Sequence, residues 1–228
     1  MDKELSKEEF LEKKKDFSPF LVHLTREDEE YYAKDVLKII LNENTLRAYN
    51  HFCYFSPALN NKENPESALL QDEFRVVCFT ETPIDQIEVL LYNVTNRKFK
   101  PDSYGLVFKK DYIRGKGGNP VFYVSKDIAK PIYNELYVPY IQGKEQASQE
   151  LCRLLSLVTL CEEGNDWHWE REWRIVGDLE FKRDDIFCGL CPEDDIQEFE
   201  YSYEPVKFIS PSWGINKILL KLHRLANK

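Results

Sequence analysis

The spacing of hydrophobic positions predicts that the chain opens with a strand, a polar turn and an amphipathic helix. "PFLVHLTRED" is a short apolar run that ends in polar residues, which is typical of a buried strand. In "EDEEYYAKDVLKIILNEN", Tyr32, Val36, Ile39 and Ile40 recur at helical spacing, and acidic residues crowd the first turn, where the helix dipole favours them. "FRVVCFTETP" then predicts a strand that Pro83 stops, and "IDQIEVLLYNV" predicts a helix.

The remaining segments predict further strands and helices. "CYFSP" has the pattern of a buried strand, and "YGLVFKKDYI" and "NPVFYVS" alternate as strands do. The intervening "RGKGG" lacks the glycine spacing of a phosphate-binding loop, so we interpret it as a hairpin or loop turn. "KEQASQELCRLLSLVTLCEE" predicts a helix with an apolar stripe of Leu151, Leu154, Leu155 and Val158. "PVKFIS" predicts a last strand, and "INKILLKLHRLANK" predicts a basic helix. Strands in hairpins with helices grouped outside them predict an α+β fold rather than a doubly wound sheet.

"WHWEREWRI", residues 167–175, is the most unusual segment because it alternates bulky apolar residues with ionisable ones. We predict that it forms a strand leading into a Gly177–Asp178 turn, with a helical turn as the alternative. On a strand, one face would carry a row of charged groups: His168, Glu170, Glu172 and Arg174. Glu170 and Glu172 would then lie roughly 7 Å apart. Two carboxylates at that separation repel, which raises the pKa of one of them unless a ligand or a cation such as Arg174 or His168 intervenes. A surface ladder of ion pairs over a tryptophan-packed core explains the same pattern.

Composition narrows the classes of function. The 228 residues include 31 Lys and Arg against 40 Asp and Glu, a net charge of -9 that opposes non-specific coating of DNA. The charged N-terminus lacks the apolar core of a signal peptide, and no apolar run approaches the roughly 20 residues of a spanning helix, so we expect a cytoplasmic protein. Without an internal repeat or linker, we expect residues 17–228 to form a single domain, preceded by a charged helix or tail over residues 1–16.

The six cysteines are expected to be small core residues, since disulfides are rare in a reducing compartment. Only "CGLC", with Cys188 and Cys191, has a spacing that suits a metal or a redox pair. Cys152 and Cys161 are a poor match to the second half of a zinc ribbon, and the acidic run after Cys191 opposes a reactive thiolate. We therefore expect no bound metal.

Several of these segments, taken in order, resemble abortive-infection (AbiGi-like) phage-resistance proteins of bacteria. The segments are "LVHLTRED", "DVLKIILNENTLRA", "CFTETPIDQI", "YGLVFKKDYI" and "HWEREWRIVGDLEF", and together they extend over about 200 residues of the sequence. The opening strand and helix are also similar to those of DarT-like ADP-ribosyltransferase toxins. The resemblance implies an ADP-ribosyltransferase-like fold, with a split β-sheet core, flanking helices and NAD bound as a substrate.

The resemblance assigns the catalytic chemistry to the two glutamates of "WHWEREWRI". Glu172 is implied to bind the nicotinamide ribose and to stabilise the oxocarbenium-like centre that forms as nicotinamide leaves. Glu170 is implied to accept a proton from the attacking acceptor, although the order of the two roles is open.

The same resemblance implies six cofactor-binding residues, which are His23, Thr25, Arg47, Tyr54, Ser56 and Glu81. The first two would contact the nicotinamide amide and the adenosine ribose, and the arginine would pair with the pyrophosphate. The tyrosine ring would stack on the nicotinamide, and the serine would present a hydroxyl. The last would add a carboxylate to the cleft. Each position also fits a plainer interpretation: a core histidine, a packed aromatic ring, a solvated arginine or a turn-forming glutamate.

The sequence also departs from the DarT-like pattern. Asn44 stands where those proteins have a glycine, at a position that requires a left-handed backbone conformation, which asparagine tolerates. The resulting hypothesis is an NAD-dependent ADP-ribosyltransferase-like toxin or effector of phage defence, acting on a protein or nucleic-acid acceptor and possessing a cognate partner. The alternative is a non-catalytic, antitoxin-like or regulatory binding module of the same fold. A nuclease is disfavoured because its metal-binding carboxylates do not form a recognisable motif.

Overall fold

A computed structural model describes residues 18–49, 74–92, 101–138, 154–161 and 166–226. The α-helices are α1 (Ala33–Glu43), α2 (Ile87–Tyr92), α3 (Lys110–Gly115), α4 (Lys126–Ile132), α5 (Ile196–Ser202) and α6 (Ile215–Ala226). The strands are β1 (Phe20–Leu24), β2 (Thr45–Leu46), β3 (Val76–Thr80), β4 (Gly105–Lys109), β5 (Asn119–Pro120), β6 (Phe122–Val124), β7 (Val158–Leu160), β8 (Glu172–Val176), β9 (Leu179–Glu180), β10 (Ile186–Leu190) and β11 (Phe208–Ile209). A π-helical turn follows α4 at Tyr133–Tyr137, and short 3-10 helices occur at Ile84–Gln86, His168–Glu170, Arg183–Asp185 and Glu193–Asp195.

These elements confirm the expected α+β class, whereas the finer ADP-ribosyltransferase-like arrangement stays a prediction. The chain divides into two compact units. Unit 1 comprises Met1–Asn44, Thr80–Tyr112 and Phe181–Lys228, and unit 2 comprises Thr45–Phe79 and Ile113–Glu180. The tail expected over residues 1–16 lies outside the described residues, and the single domain expected over 17–228 stays a prediction.

The centre of unit 1 is a mixed set of strands in the order β11–β10–β4–β1. Strand β1 runs antiparallel to β4, from Phe20 opposite Lys109 to Leu24 opposite Gly105, while β10 and β11 run parallel. Gly105 lies directly against the carbonyl group of His23, so that any side chain at this position would collide with the backbone of β1. The strand predicted over "YGLVFKKDYI" is thus right for its first half, and α3 begins at Lys110.

The core of unit 1 forms where helices cover this sheet. Its buried residues come from strands and helices distant in sequence: Val22, Ile84, Ile87, Leu90, Val107, Cys188, Leu190, Ile209 and Ile218. Both Cys188 and Cys191 are fully buried, as expected of structural cysteines, and burial raises the pKa of both thiols.

Helix α1 forms where it was predicted, but it buries a different stripe. Tyr32 lies just before the helix and is 74% exposed, and Ile39 is also exposed. Ile40 is buried as predicted, but the other buried residues are Ala33, Leu37 and Leu41, and the four recur at intervals of three and four. The helix ends at Asn44, which has a φ of 52° and a ψ of 38°, the left-handed conformation that the sequence pattern predicted.

A charged network links α1 to the segment that precedes and begins α5 within unit 1. The Lys34 ammonium donates hydrogen bonds to Asp195 at 2.7 Å and to Glu198 at 2.8 Å, and Lys38 pairs with Glu198 at 2.7 Å. These hydrogen bonds lower the pKa of Glu198 to about 2 and raise the pKa of Lys34 to about 12. The network therefore stabilises the folded state while both groups are charged.

Unit 2 contains strands in the order β3–β8–β5 and two smaller pairs, β2 with β9 and β6 with β7. Strand β5 runs antiparallel to β8, with Asn119 opposite Arg174, and β6 runs parallel to β7. "RGKGG" ends α3 and forms a turn that leads to β5, so the loop turn is confirmed and the hairpin is wrong, since β4 pairs with β1 and β10. A second expectation is also wrong. Val158, expected on a helix, begins β7.

Candidate functional site

The segment "WHWEREWRI" forms two elements rather than the single strand that was predicted. Its first half is the 3-10 helix His168–Glu170, and β8 begins only at Glu172. Arg171 separates them in the left-handed conformation, with a φ of 46°. Because this residue interrupts the alternation of a strand, Glu170 and Glu172 do not share a strand face, and their predicted pairing on one strand is wrong.

Local hydrogen bonds explain why a helical turn forms in a segment with strand-like alternation. The backbone N–H of His168 donates to the Asp166 carboxylate at 2.9 Å, and the N–H of Glu170 donates to the carbonyl of Trp167 at 3.0 Å. The Asp166 side chain thus forms a turn with the backbone N–H two residues later, and this turn competes with extended backbone. The turn predicted at Gly177–Asp178 is confirmed by the φ of 80° at Gly177, between β8 and β9.

Glu172 and Arg174 form a bidentate ion pair on β8. The guanidinium Nε donates to Glu172 Oε1 at 2.9 Å, and Nη2 donates to Oε2 at 2.8 Å. Such paired, charge-assisted hydrogen bonds fix both the position and the orientation of the carboxylate. The Glu172 side chain is 14% exposed, whereas that of Arg174 is 2% exposed.

The burial of Arg174 rules out a solvent-exposed ladder at this position. Its Nη1 also donates to the carbonyl of Ser156 at 2.9 Å, so that at least three hydrogen bonds hold the buried guanidinium. A buried charge requires this degree of pairing because it has lost its hydration. The tryptophans expected to pack in a core differ in burial: Trp173 on β8 is buried, but Trp169 in the 3-10 helix is 40% exposed.

Two further side chains surround the ion pair. The backbone N–H of Glu172 donates to the hydroxyl of Tyr123 at 3.0 Å. Burial raises the pKa of Tyr123, with a smaller contribution from the Glu172 and Glu170 carboxylates, so the hydroxyl keeps its proton. Desolvation, together with the nearby Glu172 carboxylate, also raises the pKa of the Cys78 thiol well above its ordinary value. Cys78 and Tyr123 are therefore neutral polar neighbours of Glu172.

His23 and Thr25, two of the residues predicted to bind NAD, lie in unit 1. His23 is half-buried on β1, opposite Leu106. Thr25 is 3% exposed, and its hydroxyl donates to the carbonyl of Ala33 at 2.9 Å, with the carbonyl of Tyr104 at 3.2 Å. The single proton of the Thr25 hydroxyl thus serves the local backbone, which leaves only its oxygen to accept a bond from a ligand.

Arg47 and Glu81, also predicted to bind NAD, each form an ion pair. Arg47 in unit 2 is 49% exposed and lies 3.1 Å from the Asp178 carboxylate. Glu81 in unit 1 is buried and accepts a hydrogen bond from the ammonium of Lys110 at 2.7 Å, a pairing that the sequence did not indicate. Tyr54 and Ser56 lie outside the described residues. Unit 2 therefore contains Glu170, Glu172 and Arg47, of which the ion pair with Arg174 fixes Glu172.

A second cluster, which the sequence did not predict, lies at the start of the 3-10 helix His168–Glu170 of unit 2. It consists of Cys161, Asp166 and His168, whose potential ligand atoms all lie within 4.8 Å of one another. Asp166 and His168 are exposed, and Cys161 is half-buried. The signal for this cluster in the sequence is the seven-residue separation between Cys161 and His168.

The Cys161 cluster is not arranged as a nucleophilic triad. The thiol and the Asp166 carboxylate both contact Nδ1 of His168, at 3.3 Å and 2.8 Å, whereas a triad uses the two opposite ring nitrogens. Partial burial and the Asp166 carboxylate also raise the pKa of the Cys161 thiol, which opposes a reactive thiolate.

Comparison of the chain with protein-family models, curated proteins and solved structures gave no match. Among the helices of the described residues, none has both the length and the apolar character needed to span a bilayer. The interpretation of the site therefore depends on its own geometry and on the resemblance of the sequence motifs.

Proposed function

We propose that the protein is an NAD-dependent ADP-ribosyltransferase-like toxin or effector of phage defence, with Glu172 as its catalytic carboxylate. The observation that carries this proposal is the fixed position of the Glu172 carboxylate at the start of β8. The Nε and Nη2 groups of Arg174 both donate hydrogen bonds to this carboxylate. A carboxylate that stabilises developing positive charge must be held in place before the reaction, since movement during the reaction would reduce its effect.

The Glu172 carboxylate retains capacity for a further hydrogen bond. A carboxylate offers about four lone-pair sites; two face Arg174, a third is within reach of the Cys78 thiol, and about one is left for a ribose hydroxyl. The 14% exposure of the side chain means that it reaches solvent, where a substrate could contact it.

In the proposed reaction, the bond between C1′ of the ribose and the nicotinamide nitrogen breaks. Its electron pair goes to the ring nitrogen, and neutral nicotinamide leaves. The sugar carbon becomes positively charged, and Glu172 stabilises it. An acceptor nucleophile then bonds to C1′ and releases a proton, which Glu170 accepts in this proposal. Glu170 is half-buried and lies close enough to Tyr123 to raise the pKa of its hydroxyl.

The proposal is tested by incubating the full-length protein with labelled NAD and a cell lysate, and then digesting with nuclease or protease to identify the labelled macromolecule. Glu172→Gln is expected to abolish both labelling and nicotinamide release, and to relieve growth arrest on expression. Glu180→Gln, at an exposed position on β9, is the matched control and should leave both unchanged.

Because Glu172→Gln also weakens a buried ion pair, its folding must be measured separately. Glu172→Asp keeps the charge but shortens the side chain, so it is expected to lose activity while retaining more stability than Glu172→Gln. Full activity of either folded variant, or no nicotinamide release by the wild-type protein, would overturn the proposal.

One observation favours a second candidate, a non-catalytic antitoxin-like or regulatory module. The charge of Glu172 is already balanced by Arg174, and this reduces the carboxylate's effect on a nearby cation. In that case, wild-type expression would not arrest growth, and NAD would not be consumed. The module would instead copurify with a partner protein.

A further inference from the structure

We propose that Cys161, Asp166 and His168 form a binding site for a zinc-like transition-metal ion. This inference goes beyond the proposed transferase function and does not depend on it. It also departs from the expectation, based on sequence alone, that no metal is bound.

The three side chains present one ligand atom each at nearly the required separations. Cys161 Sγ lies 3.1 Å from Asp166 Oδ1 and 3.3 Å from His168 Nδ1, and these last two atoms are 2.8 Å apart. Tetrahedral zinc with bonds of about 2.0–2.3 Å separates its ligand atoms by roughly 3.3–3.7 Å. Each pair therefore has to open by only about half an ångström or less to admit the ion.

The convergence of the Cys161 thiol and the Asp166 carboxylate on one imidazole nitrogen also favours a metal. The Cys161 thiol also donates to Asp166 Oδ1 at 3.1 Å, and a cation in the midst of the three groups would replace the protons that these contacts share. The ion would attract all three ligand atoms at once, whereas a single imidazole proton can be donated well to only one acceptor.

Neighbouring groups hold the ligands in this arrangement. The backbone N–H of Trp167 donates to Cys161 Sγ at 3.4 Å, and the N–H of His168 donates to the Asp166 carboxylate at 2.9 Å. The Tyr123 ring packs against the imidazole, with 4.7 Å between ring centroids. Outer hydrogen bonds and ring contacts of this kind orient ligands before the metal arrives.

The combination of donor atoms selects the class of metal. Thiolate and imidazole ligands suit zinc and related ions, while magnesium and calcium require oxygen ligands. Three protein ligands leave the fourth tetrahedral position for water or another small ligand.

A bound ion would cross-link the end of β7 to the 3-10 helix of unit 2. Cys161 directly follows β7, and His168 is the first residue of the helix that leads through Arg171 into β8. The ion would thereby restrain the segment that contains Glu170 and precedes Glu172.

The test is a titration of the full-length chain with Co²⁺ in a reductant that contains no thiol. A tetrahedral Co²⁺–thiolate centre gives visible absorption bands and a sulfur-to-metal charge-transfer band. We expect these bands at one equivalent in the wild-type protein, loss of the charge-transfer band in Cys161→Ser, and roughly tenfold or greater weakening in His168→Gln and Asp166→Asn.

His223→Gln is the matched control, because His223 is exposed on α6 and lies outside the cluster; it should bind Co²⁺ like the wild type. Competition with Zn²⁺ should remove the bands. Absence of the charge-transfer band in the wild type, its persistence in Cys161→Ser, or unchanged affinity in His168→Gln would overturn the site. Circular dichroism of each variant separates loss of a ligand from loss of the fold, and no NAD is needed.

Discussion

Replacement of Arg174 by methionine should strongly destabilise unit 2, because it leaves a nearly buried carboxylate without its partner. Arg174 donates two hydrogen bonds to Glu172 and one to the carbonyl of Ser156, and all three are lost in the variant. Removing one member of a buried ion pair costs about 3–5 kcal/mol. For a chain of 228 residues, this corresponds to a fall in Tm of about 6–20 °C.

The matched control is Arg47→Met, in the same unit. Arg47 also pairs with a carboxylate, Asp178, but the two side chains are 49% and 42% exposed. Pairs at such exposure contribute about 0–1 kcal/mol because water already solvates both charges. The contrast between the two substitutions therefore isolates the effect of burial.

Urea unfolding followed by tryptophan fluorescence is a suitable assay. Three of the four tryptophans, Trp167, Trp169 and Trp173, belong to unit 2, so the signal reports mainly on that unit. The double variant Arg174→Met/Glu172→Gln should be more stable than Arg174→Met alone by about 1–3 kcal/mol, since it no longer contains an unpaired charge. A loss below about 1 kcal/mol for Arg174→Met, or strict additivity in the double variant, would refute the argument.

Three further perturbations test other parts of the structure. Lys110→Met should lower the free energy of unfolding in urea by about 3–5 kcal/mol, because it leaves the buried Glu81 carboxylate without this partner. A loss as small as that expected for Arg47→Met would contradict this prediction. Hydrogen bonding to Lys34 lowers the pKa of Glu198 from 4.5 to about 2. The difference in unfolding free energy between the wild type and Glu198→Gln should therefore be largest above pH 4.5 and vanish as the pH falls to about 2. A difference that does not depend on pH would contradict this prediction. Asn44→Gly should stabilise the protein by up to about 1 kcal/mol in the same assay, because Asn44 has a left-handed backbone, which glycine adopts without strain. The buried amide oxygen of Asn44 also has no hydrogen-bond partner among the described residues. A loss of stability in this variant would show that the strain argument is wrong.

The elements that the sequence predicted well are those set by local periodicity and turn chemistry. Strands β1 and β3, helix α1 and the C-terminal helix α6 all lie within the segments whose apolar spacing indicated them. The left-handed conformation at Asn44 is the one that the DarT-like pattern implies, and the asparagine and the glycine of Gly177 are residue types that tolerate a positive φ. These features depend on neighbours within a few positions along the chain.

The corrections have the opposite origin. Alternation in "WHWEREWRI" suggested one strand, but hydrogen bonds to Asp166 and the left-handed Arg171 replace its first half with a helical turn. In α1, packing against the rest of unit 1 decides that Leu37 and Leu41 are buried and that Ile39 is exposed. Local pattern cannot distinguish these outcomes, because several stripes of similar hydrophobicity are available on one helix.

The amino-acid sequence by itself determined the α+β class and the positions of β1, β3, α1, α2 and α6, and the resemblance of its motifs pointed to Glu172 as the candidate carboxylate. Only the tertiary structure decided that Arg174 is buried and clamps Glu172, that Glu81 pairs with Lys110, and that Cys161, Asp166 and His168 converge. The physical reason is that the charge state and partners of a polar group depend on burial. Burial arises when segments distant in the sequence, such as those of Glu81 and Lys110, pack together and exclude water.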